Sequence, residues 1–208
     1  MKPLFVFGVT CLVSFMGSVQ LGPVNVAVIR ATIQHNLRTA LWLACGGCLP
    51  EILYGLLALH GVLFFQQYPF VFQLLQWSLV PVLLIAGGLL FIKKPSAQDT
   101  AITPKSRKIS LTEGFVLALL NPQLVAFWTI ILLNYQNYAW LNIDSWLTEL
   151  AFLLGTSAGA FGILYLFACL AHHYRERLFQ RIPTQTINQV VGGIFILIGL
   201  IQAAKLLW

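Results

Sequence analysis

The sequence predicts an all-α membrane protein of six transmembrane helices, built as two inverted three-helix repeats. Three observations carry that expectation. The chain of 208 residues is 59% hydrophobic and only 9% charged, with mean hydropathy +0.83, whereas about a quarter of the residues in a soluble domain are charged. Basic residues fall in alternate connections only. And a proline interrupts the first apolar span of each half, at Gly22-Pro23 and at Asn121-Pro122.

No Asp, Glu, Lys or Arg occurs from Pro3 to Ile29, from Ile52 to Ile92, from Gly114 to Ile143 or from Ile182 to Ala204. A membrane helix needs about 20 apolar residues, so the six spans are Leu4–Ile29, Thr39–Phe64, Phe70–Ile92, Leu111–Asn134, Ser145–Leu170 and Ile187–Leu207. The start Met1-Lys2-Pro3 resembles a signal peptide. Its apolar run continues too far, however, and lacks a small-x-small cleavage site, so it is retained as the first span.

The connections sort by charge. Arg30 and Arg38 lie in the first, Lys93, Lys94, Lys105, Arg107 and Lys108 in the third, and Arg175, Arg177 and Arg181 in the fifth, while the second and fourth hold no Lys or Arg. The positive-inside rule places the odd connections in the cytoplasm and both termini outside. The net charge of +6 is thereby explained by the bilayer, and no nucleic-acid partner is expected. The longest connection makes residues 93–110 a basic linker between a first repeat, 1–92, and a second, 111–208. Three spans per half force the halves into opposite orientations, which is the arithmetic of an inverted repeat. Ile52-Leu53-Tyr54 in the second span also matches Ile163-Leu164-Tyr165 in the fifth.

Each proline removes an N–H and crowds the carbonyl four residues back, so oxygens near Val19 and Ala118 are expected to lose their helical partners. In hydrocarbon such groups must be satisfied by protein, water or an ion. Broken helices in corresponding positions of two repeats point to a transporter's binding site. Around the breaks stand Gln20, Gly22, Pro23, Asn25, Asn121 and Pro122. In the first span Thr10, Ser14, Ser18 and Asn25 form a polar stripe with Gly17 and Gln20, suited either to a water-lined path or to interhelical hydrogen bonds.

Glu51 is the one acidic residue in the middle of a span, thirteenth of the twenty-six in Thr39–Phe64. An ionised side chain at a helix centre costs ~2.5–3.5 kcal/mol on the mild insertion scale, so the carboxyl is expected to face the interior and to exchange a proton or a charge. Pro50, immediately before it, frees the Gly46 carbonyl. Tyr54 lies one turn further on.

Cys45-Gly46-Gly47-Cys48 has the spacing of a thiol pair, but a thioredoxin-like setting or a second ligand pair is missing, and buried thiols behave as small hydrophobes. His172-His173 has no accompanying cluster and reads as a solvated span end. No cofactor is expected, and no nucleophile–base pair or phosphate loop occurs, so the chain is not read as an enzyme. Gly155-x-x-x-Gly159 has the spacing of a close helix crossing within the bundle, and Tyr135, Tyr138, Trp140 and Trp146 form an interfacial belt.

Gly22-Pro23, the glycine-rich second span with Glu51, and Gly114-Phe115 leading to Asn121-Pro122-Gln123 and Phe127-Trp128 resemble the lysine exporter (LysE/RhtB) family. The resemblance implies a bacterial inner-membrane exporter of amino acids, driven by a proton or sodium gradient, in a possible homodimer. Glu51 would then be the coupling or substrate-amine group. Two departures are Pro50, where the family more often has glycine, and Gly159-Ala160-Phe161-Gly162, where many relatives carry an Asp. Two alternatives stay open: a divalent-metal exporter of the same superfamily with Cys45, Cys48 and Glu51 as ligands, and a membrane thiol–disulfide electron carrier using Cys45 and Cys48.

Overall fold

The computed structural model describes residues 1–19, 22–67, 69–92, 106–119, 121, 123–174 and 184–207. Gln20, Pro122, the linker up to Lys105 and the basic cluster Arg175–Arg181 lie outside the described residues. Described residues form helices α1 (Lys2–Gly17), α2 (Pro23–Gln34), α3 (Leu37–Gln67), α4 (Pro69–Ile92), α5 (Arg107–Leu119), α6 (Gln123–Tyr135), α7 (Trp146–Tyr174) and α8 (Thr184–Leu207), with no strand among them.

The first and fourth expected spans are each divided where the prolines predict. Gly22 is extended (φ −95°, ψ 174°) and Pro23 opens α2, a position where the missing N–H has no helical partner to lose. Pro50 and Pro81, by contrast, are carried inside α3 and α4. α5 begins at Arg107, so Arg107 and Lys108 are helical rather than linker. α5 and α6 meet at a bend of 65°. By length and composition alone, two helices among the described residues can cross a membrane, Leu37–Gly61 and Trp146–Tyr174, and the bent α5–α6 pair makes a third. α1 and the Gly192–Ile201 part of α8 are shorter apolar helices.

Helix directions follow from the contacts. α1 runs parallel to α7: Gly155 meets Phe7 and Thr10, Gly159 meets Cys11 and Ser14, and Gly162 meets Phe15. A Cβ on Gly159 would lie 2.2 Å from the Cys11 carbonyl oxygen, so the backbones themselves touch. α3 runs parallel to α5, with Arg107 over the Trp42 ring, Gly46 against Leu111 and Phe115, and Tyr54 at Leu119. α3 and α7 are antiparallel, Gly47 meeting Leu164 and Gly55 meeting Phe152 and Leu153. α4 and α8 are antiparallel too, through Gly87 with Gly192 and Ile196, and Gly192 with Phe91. α1 therefore lies along α7 of the other half of the chain, and α5 along α3.

Charges gather at the two ends. At one, Lys2 pairs with Asp144, holding that carboxyl below the usual carboxylate range, and His60 Nε2 lies 2.8 Å from Glu149 Oε1. At the other, the Arg107 guanidinium sits 3.6 Å above the Trp42 ring. Trp42 and His60 are eighteen residues apart on α3. At 1.5 Å per residue that is about 27 Å, close to the ~30 Å of a bilayer's hydrocarbon core. The core has two parts: a bulky one toward the Lys2 end (Tyr54, Trp128, Tyr135, Phe152) and a small-residue one toward the Trp42 end (Ala27, Ala31, Ala40, Ala44, Ala168).

Candidate functional site

Glu51 lies at the middle of α3, nine residues from both Trp42 and His60. It is only 5% exposed. A carboxyl at that depth needs a partner, and its Oε2 accepts a 2.7 Å hydrogen bond from the indole Nε1 of Trp128 on α6. Trp128 is wholly buried, held edge-on by Phe152 at 5.3 Å and by Phe127 at 4.9 Å between ring centroids.

Both helix breaks reach α3 within one turn of Glu51. Residues four apart share a helix face, so Gly47 is the position below Glu51, and there Val24, the second residue of α2, fills the space a side chain would need: a Cβ on Gly47 would lie 2.6 Å from Val24 Cγ1. On the other side Tyr54 donates its hydroxyl to the carbonyl of Leu119, the last residue of α5. The first break also touches α6 directly, because a Cβ on Gly17 would lie 2.6 Å from the Phe127 ring.

The oxygens that take side-chain donors are the immediate neighbours of those that proline spacing marks. The Ala118 carbonyl accepts from the Asn121 N–H at 3.1 Å, since the last turn tightens to an i+3 bond. The oxygen taken by a side chain is the next one, Leu119. In the first break it is Ser18, whose carbonyl accepts from Asn25 Nδ2 at 2.9 Å. Asn25 therefore serves as an internal cap, whereas the second break is capped from another helix by Tyr54. Asn121 Oδ1 is buried with no hydrogen-bond partner among the described residues.

Of the expected site residues, Gly22, Pro23, Asn25, Glu51, Tyr54 and Asn121 are thus placed at or beside the two breaks, and Gln20 and Pro122 fall outside the described residues. The polar stripe of α1 resolves in part into helix–helix bonds: Ser14 Oγ donates to the Thr156 carbonyl at 2.6 Å, and the Thr10 and Tyr135 hydroxyls are 3.2 Å apart. All four cysteines are free, and the Cys48 thiol bonds to the Cys45 carbonyl at 3.2 Å. No group of three metal-ligating side chains occurs among the described residues. Sequence reasoning missed Trp128 as a site residue; its signal was an indole N–H inside an apolar span, a donor that must find a buried acceptor.

The arrangement offers a carboxyl that can carry a charge or a proton, one orphan amide oxygen, and two helix breaks on either side. Among the described residues it holds no nucleophile aligned with a base. Against known protein families, the model of the LysE type translocator matches residues 15–205. No curated protein and no solved structure gives a match.

Proposed function

Because the chain belongs to the LysE type translocator family, a family of multi-pass membrane transport proteins, we propose that it is a secondary active exporter of amino acids or related small metabolites across the bacterial inner membrane. The observation that carries this reading is the burial of Glu51 between two helix breaks that reach α3 one turn to either side of it. An uncompensated charge at that depth is expensive, so Glu51 is expected to alternate between a proton, or a sodium ion, and the ammonium group of the substrate. The substrate's remaining donors are offered Asn121 Oδ1, while Asn25 shapes the first break by capping the Ser18 carbonyl. Gly22 and Pro23 shape the same midplane site under this reading.

The helix pairing supports six spans in two inverted repeats. α1 along α7 corresponds to α5 along α3, and the antiparallel α3–α7 and α4–α8 contacts are those an in-plane two-fold axis would make of equivalent helices. Rocking of one repeat against the other about Glu51 then exposes the site to each side in turn. The loop charges place the Trp42–Arg107 end in the cytoplasm and both termini in the periplasm.

Overexpression in cells challenged with toxic amino acids, amino-acid analogues and divalent metals tests the function. Resistance to amino-acid compounds that survives Cys45→Ser with Cys48→Ser is the expected result. Resistance to metals alone, abolished by that double change, would assign the metal-exporter role instead; loss of a thiol-redox phenotype would assign the electron carrier.

A further inference from the structure

Tyr54 and Glu51, one turn apart on α3, grip opposite sides of the second helix break: Tyr54 holds the Leu119 carbonyl that ends α5, and Glu51 holds Trp128 on α6. From this geometry we propose that Trp128 is a positioning residue that passes the state of Glu51 to the bend between α5 and α6. The inference rests on Glu51 being the exchanging group of the reading above.

An indole N–H can only donate. The bond is strengthened by the charge on Glu51 Oε2, and a proton or a substrate ammonium that neutralises the carboxyl weakens it. The ring has nowhere to turn, since it is wholly buried and wedged edge-on by Phe127 and Phe152. A buried donor whose acceptor is weakened is unfavourable, and that cost is relieved by moving α6 rather than the ring. Phe127, the neighbouring residue, bears on Gly17 at the first break, so displacement of α6 also reaches α1. The titratable groups facing Glu51 are Cys48 and Tyr54 on its own helix; the other helices packed on α3 bring it no charged side chain among the described residues.

Tryptophan emission of the purified full-length protein, followed from mildly acidic to mildly alkaline pH, tests this without knowledge of the substrate. The difference between wild type and Trp128→Phe should show one titration, absent in Glu51→Gln. In vesicles, Trp128→Phe should export with its pH profile moved upward by about one unit, the effect of losing one hydrogen bond to a charged group. Emission of wild type and Glu51→Gln that varies alike with pH overturns the proposal, and that comparison does not depend on Trp128→Phe folding. An unshifted profile in an active Trp128→Phe overturns it as well. A Glu51-dependent titration in a protein that exports no amino acid supports the role of Trp128 and removes the substrate class instead.

Discussion

A methyl group added at Gly46 would sit 1.9 Å from the Leu111 carbonyl oxygen, and one at Gly114 would sit 2.0 Å from that of Leu43. Neither oxygen belongs to a side chain that can turn away, so α3 and α5 must separate. Gly46→Ala is expected to lower stability by the ~1–3 kcal/mol of an overpacked core, while Gly8→Ala, with nothing within 4 Å, should leave the thermal midpoint unchanged or slightly raised. Melting both variants in one detergent checks the contrast; equal midpoints would mean that the crossing is not tight. The sequence showed that glycines cluster, and the Gly155–Gly159 spacing pointed correctly to a close crossing. It did not show which member of Gly87-Gly88 or Gly192-Gly193 is used. Gly87 and Gly192 touch each other's carbonyls while Gly88 and Gly193 face open space, a choice that depends on helix phase and not on composition. Glu51 was legible because a mid-span acid has few permitted surroundings; Trp128 was passed over because an indole is equally at home in lipid-facing belts and in cores.

The two breaks were legible from proline alone, and their capping was not. Proline spacing pointed to oxygens near Val19 and Ala118, yet Ser18 and Leu119 are the ones that take side-chain donors. Helix ends tighten by a residue or two, and no periodicity announces that shift. Tyr54→Phe leaves the Leu119 carbonyl unpaired and should cost about 1–3 kcal/mol, read as a lower melting temperature with a steeper loss of export than of protein amount. Pro23→Ala restores a good helix former at the start of α2. It should preserve expression and reduce export at least tenfold, about 1.4 kcal/mol or more in the barrier, because the chain can then continue helically through the break. Full activity in Pro23→Ala would make the first break an incidental kink.

For the whole molecule, charged contacts gather at two ends: Lys2 meets Asp144 and His60 meets Glu149 at one, and Arg107 meets Trp42 at the other. What the sequence lacked was the pairing of helices between halves, since that is fixed by glycine contacts of long sequence separation. Single cysteines at Ser106 and Asn137, labelled in intact cells with an impermeant thiol reagent, should react at 137 and not at 106. A Lys2→Cys, Asp144→Cys pair should form a cross-link with a short bifunctional reagent, whereas Lys2→Cys with Ser106→Cys should not. Strong labelling at 106 with none at 137 would invert the orientation. The central claim, that Glu51 between the two breaks couples an ion gradient to export, is tested most directly by gradient-driven uptake into everted vesicles with Glu51→Gln, which keeps shape and hydrogen bonding but cannot carry charge. The account predicts that wild-type vesicles accumulate substrate and lose it when an ionophore collapses the gradient, and that Glu51→Gln vesicles with the same amount of protein accumulate none. Near-wild-type accumulation by Glu51→Gln across a pH series would contradict it and leave Glu51 as a hydrogen bond between α3 and α6.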